Sequence, residues 1–165
     1  MAETSEAEQE RAVELAYGYV GMPYVFAGGD LNGPTGGGFD RAGFVRRIVY
    51  EVSGVDLGQT LRDQLDRCRR LSLGAVAAPG DLLFWRDPAI PENPASPLLR
   101  HSEFFHQALY TGMLTVIDCP VHRGDRTFDE RSVTLEDITV RVAESGRPQI
   151  VIARPPYTGR AQRAH

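Results

Sequence analysis

The sequence predicts an α+β fold. Helix-period segments come first along the chain and strand-like segments follow, an order that separates the two element types instead of alternating them. The composition is that of an ordinary globular core, 42% hydrophobic and 24% charged. A length of 165 residues supports one such core and not two. Residues 1–157 are therefore expected to form a single domain, with the polar run 158–165 as a flexible tail.

Ser5 and Glu8 have capping-box spacing ahead of a segment with apolar residues at Val13, Leu15, Ala16 and Val20, so a helix is predicted over 5–20. Gly21 and Pro23 stop it. "YVF" reads as a short extended piece, and the loop "AGGDLNGPTGGG" carries six glycines, which permit sharp turns and close backbone approach. Asp40 is a candidate N-cap for a helix with Phe44, Val45, Ile48 and Val52 on one face, ended by Gly54. "TLRDQLDRCRRL" predicts a further amphipathic helix with Leu61, Leu65 and Cys68 inward. "APGDLLFW" is a turn entering a strand, and "RDPAIPENPASP" a proline-rich surface loop. "FFHQALYTG", "LTVIDCP" and "PQIVIARPP" are strands, the first two joined by a tight turn at Gly112-Met113. "DERSVTLED" and the acidic N-terminal run read as solvated surface.

Several function classes have no support. The net charge is −4, which gives no electrostatic reason for a nucleic-acid partner. No apolar run approaches the length of a membrane span, so no membrane insertion is expected. The first residues lack the pattern of a secretory leader, which suggests a chain that stays where it is made, has had a leader removed, or travels within an assembly. "GGDLNGPTGGG" lacks the lysine of a phosphate-binding loop; the sequence contains none. "CPVH" at Cys119–His122, with His101 and His106, has no standard zinc spacing, so neither metal nor cofactor is expected. Cys68 and Cys119 are expected as buried free thiols.

The segments "GMPYVFAGGD", "GGGFDRAGFV", "PGDLLFW" and "HQALYTG", in this order, resemble the NlpC-type cell-wall cysteine peptidases, a papain-like family, and the resemblance runs from about Arg11 to Pro155. It implies a papain-like fold with helices packed against a central antiparallel sheet, and a groove between the helix beginning at Arg41 and the strand bearing His106. It also implies the site. The family's nucleophilic cysteine falls at Arg41, with its neighbouring serine at Ala42. The general base falls at His106, the third polar residue at Asp118, and the site-lining tyrosine and aspartate at Tyr24 and Asp40.

A guanidinium stays protonated and offers no lone pair to a carbonyl, so the thiolate route is closed at Arg41. Asp118 and Cys119 are adjacent on a strand and face opposite sides, which turns Cys119 away if Asp118 enters the site. Two placements of Arg41 are open: solvent, or an ion pair with Asp118 close to His106. No catalytic set is intact. The expected role is a structural or interaction module on a peptidase scaffold, a phage tail-tip or injection-machine component being one setting and protein partners in a larger assembly the corresponding ligands. The alternatives are a binder of peptidoglycan stem peptides using Tyr24, Asp40, Arg41 and His106, with Arg41 gripping a carboxylate, and a cell-wall hydrolase of altered mechanism.

Overall fold

The computed structural model describes residues 2–90, 103–119, 132–144 and 148–157. Helix α1 spans Ala2–Gly18, α2 Arg41–Ser53 and α3 Leu61–Asp66; strands are β1 Arg69–Arg70, β2 Leu82–Arg86, β3 Phe104–Gly112, β4 Thr115–Asp118 and β5 Thr134–Asp137, followed by α4 Ile138–Glu144 and β6 Gln149–Arg154. The strands form one antiparallel sheet in the order β1-β6-β2-β3-β4-β5. Central strand β2 is buried at every residue but Arg86, which explains the near-continuous apolar run "LLFW" in place of alternation.

The larger core lies between the sheet and α1–α3, and joins Ala12, Phe44, Ile48 and Leu61 to Phe84, Leu109 and Ile117. Helices pack against both faces of the sheet. The opposite face carries a second cluster, Leu83, Trp85, Ala108 and Val116, against which Ile138 and Val142 of α4 pack.

Local chemistry explains most boundaries. Helix α2 begins at its cap Asp40 and ends where Gly54 adopts φ +73°, a left-handed turn that suits glycine. Helix α1 starts at Ala2, not at Ser5, so the capping-box reading fails and Ser5 lies inside the helix. Helix α3 is capped by Thr60 but runs only six residues; the arginines after Cys68 leave it for edge strand β1, so the longer predicted helix is corrected. "YVF" is extended, with Tyr24 bridged to Phe39. The segment read as solvated surface supplies β5 and leads into α4; its residues 129–131, the proline-rich loop from 91 and the tail 158–165 lie outside the described residues.

Candidate functional site

Strand alternation decides which way each side chain of β3 points. The Gln107 amide nitrogen donates to Gln64 Oε1 at 2.7 Å, and Gln64 Nε2 in turn donates to the carbonyls of Ala42 at 2.9 Å and Gly58 at 3.0 Å. Gln107 thus ties the strand to α2 and α3. His106, its neighbour, faces the other way, with its ring edge-to-face against its cross-strand partner Trp85 at 5.0 Å between centroids.

Asp118 reaches His106 from the next strand. Its Oδ2 stands 2.7 Å from His106 Nε2. The carboxylate is fully buried, a position that is expensive for an unpaired charge. Arg141 of α4 supplies the compensating cation: Nη2 donates to Asp118 Oδ1 at 3.0 Å, and Nε lies 2.8 Å from Oδ2. The guanidinium, 4% exposed, is nearly as buried as its partner. Asp118 thus holds the imidazole by its Nε2 edge and fixes the ring's orientation. The pair has the geometry of an imidazole oriented by a carboxylate.

The start of α2 carries neither thiol nor hydroxyl, its first residues being Arg41, Ala42 and Gly43. The first turn of α2 is held against the glycine loop, because the Asp40 N–H donates to the Gly28 carbonyl at 2.9 Å and a β-carbon at Gly43 would stand only 2.0 Å from that same oxygen. Asp40 Oδ1 accepts from the Gly43 N–H at 2.6 Å, and burial pushes its carboxyl above the usual range, with the Gly43 N–H, the neighbouring Arg41 charge and the Ala42 N–H opposing. Arg41, the first helical residue, sends Nη1 to the carbonyl of Phe105, one peptide before His106. The structure therefore ties Arg41 to the peptide before His106 and does not form the Arg41–Asp118 pair that was one of its two expected placements; Arg141 takes Asp118 instead. Tyr24 packs half-buried on the helical core beside Phe39.

Burial keeps both cysteine thiols from ionising readily. Cys119 lies on the core side of β4, donates to the Phe39 carbonyl at 3.2 Å, and is pushed up to about 12 by burial and then by Asp118 and Asp40. Burial, with Asp81 nearby, likewise pushes Cys68 up to about 12. Among the described residues no group of three or more His, Cys, Asp and Glu is placed to hold a metal ion; His101 and His122 lie outside them.

No family model matches the sequence. Protein P54 of Enterococcus faecium is 40% identical over 73 residues, which are 44% of this chain and only 13% of that longer protein. The solved NlpC/p60 domain of the peptidoglycan hydrolase SagA superposes with a TM-score of 0.60 at 26% identity, covering 87% of this chain and 97% of that one. The chain has the NlpC/p60 fold. Two further NlpC/p60-type structures share the fold: the P60 domain of antigen MAP1272c from M. avium paratuberculosis, with a TM-score of 0.65, 19% identity and coverage of 93% and 96%, and the peptidoglycan hydrolase RipB from Mycobacterium tuberculosis, with 0.63, 21%, 93% and 67%.

Arg141, which neutralises Asp118 beside His106, is one residue of this cluster that the sequence did not disclose. Arg141 sits in "ITVRVAE", whose alternating Ile138, Val140 and Val142 imitate a strand, so nothing marked an inward-pointing helical arginine.

Proposed function

We propose that this NlpC/p60 domain is a non-catalytic structural or interaction module working in a cell-wall setting. The observation that carries the reading is the placement of Arg41, whose guanidinium is bonded to the Phe105 carbonyl at the position where the resemblance puts the nucleophile. Acyl transfer through a thioester needs a thiolate beside the imidazole, and a protonated guanidinium supplies neither nucleophile nor base. Cys119 is buried in the core, whereas Cys68, expected buried, is only half-buried against it, and both thiols resist ionisation. The setting rests on relatives described as peptidoglycan hydrolases, SagA and RipB. An injection machine that crosses the wall, such as a phage tail tip, is one assembly such a part would serve, and detection of the chain in purified virions would place it there.

The structural reading stands ahead of stem-peptide binding because His106 is only 7% exposed and Arg41 already has a protein partner. Incubation with purified peptidoglycan fragments, followed by chromatography and mass analysis, tests the loss of catalysis. The expected result is a product profile identical to buffer and unchanged in His106→Ala. Stem-peptide cleavage that disappears in His106→Ala would overturn it.

A further inference from the structure

The hairpin between β3 and β4 closes through two residues, Met113 and Leu114, between the paired Gly112 and Thr115. Both have positive φ, +52° and +60°. In a two-residue turn of this hand Asn-Gly is the low-cost choice, and a bulky side chain costs roughly 1 kcal/mol per residue. Both side chains also face water, Met113 95% exposed and Leu114 59%. Neither backbone geometry nor the core accounts for them. The loop before β2 comes to the same end of the sheet, where a β-carbon at Gly112 would lie 3.3 Å from the Pro79 ring, and that loop presents Val76 at 88% and Leu73 at 93% exposure. The four side chains together leave on the order of 500 Å² of apolar surface, the upper end of a monomer's largest patch and most of the roughly 800 Å² per partner of a stable interface.

We infer that this end of the sheet is the contact face of a symmetric dimer, the occupant being a second copy of this chain. Charge around the patch selects that partner. The sheet order puts β1 at one edge and β5 at the other, and the antiparallel registers Arg69↔Arg154, Leu82↔Ala153, Leu82↔Leu109 and Thr115↔Asp137 bring Arg69 and Asp137 to the hairpin's end. One flank is cationic through exposed Arg69, the other anionic through Glu136 and exposed Asp137. A two-fold axis through the middle of this end, between β2 and β3, lies equally far from β1 and β5; it sets the cationic flank of each copy against the anionic flank of the other and the hairpin of one against the 73–76 loop of the other, which makes the surface complementary to itself. An anionic membrane would meet the acidic flank with repulsion. This inference is independent of the reading of Arg41.

Sedimentation velocity of the full chain over a concentration series tests it. The wild type is expected to show a saturable monomer–dimer equilibrium. Met113→Asn with Leu114→Gly raises the dimer dissociation constant at least about tenfold, while the melting temperature stays equal or rises because Asn-Gly suits the turn. Arg69→Glu and Glu136→Arg each weaken the dimer, and their combination restores it. A wild type that stays monomeric, a turn variant with an unchanged dissociation constant, or paired reversals no better than single ones would each overturn the dimer.

Discussion

Replacing Arg141 by leucine removes the buried cation and leaves Asp118 with His106 as its described partner. Both ends of the ion pair are nearly inaccessible, Arg141 at 4% and Asp118 at 0% exposure, so solvent screens little of the loss. Breaking a buried pair from one side costs about 3–5 kcal/mol, chiefly because the remaining charge is uncompensated. For a domain of this size each kcal/mol moves the melting temperature by about 2–4 °C, so a fall of roughly 6–20 °C is expected in a thermal scan. Adding Asp118→Asn to Arg141→Leu removes the stranded charge and should recover at least about 2 kcal/mol of the loss, a coupling that a double-mutant cycle in urea would measure. A single-variant cost below about 1 kcal/mol, the range of exposed pairs, would refute the claim that Arg141 neutralises Asp118 in the interior.

Three further outcomes follow from the same geometry. Asp56, bonded by Arg46 at 2.8 Å, is held down to about 2 from its ordinary 3.8. Its contribution is therefore present above the ordinary value and lost as pH falls through about 2. The side chain is 39% exposed, so the stability gap between wild type and Asp56→Asn should be at most about 1 kcal/mol at neutral pH and close toward zero in acid. With both thiols pushed up to about 12, native protein at neutral pH should react with a disulfide reagent far more slowly than urea-unfolded protein. Rapid labelling of both cysteines in the native state would contradict their core placement. Gly43→Ala forces a β-carbon to within 2.0 Å of the Gly28 carbonyl, and a loss of about 3 kcal/mol in denaturant melts is expected; a neutral result would mean that α2 is not seated as described.

The parts of the fold that the sequence disclosed are those with strong local signals. The apolar runs of β2, β3, β4 and β6, the Asp40 cap and the Gly54 stop all have short-range physical causes and fell where expected. His106 and Asp118 were legible through the resemblance, and strand alternation already put Cys119 on the other side of Asp118. What stayed hidden depends on long-range pairing. Strand β5 has the alternation of an edge with little to bury, Leu135 being exposed, so its pattern looks like surface. Arg69 and Arg70 become a strand only because β6 is there to pair with them. Arg41 could not be assigned between solvent and Asp118 because the competitor for that carboxylate, Arg141, lies 23 residues beyond it.

The most direct measurement is the reactivity of a thiol put where Arg41 stands. In Arg41→Cys with Ala42→Ser, the new sulfur sits at the start of α2; activation by that helix end and by His106 should take its pKa well below the ordinary value of about 8.5, and iodoacetamide should modify it in mildly acidic buffer. The effect should disappear when His106→Ala is added. A thiol that titrates near 8.5 whether or not the imidazole is present would contradict the claim that Arg41 occupies the reaction centre of an NlpC/p60 domain.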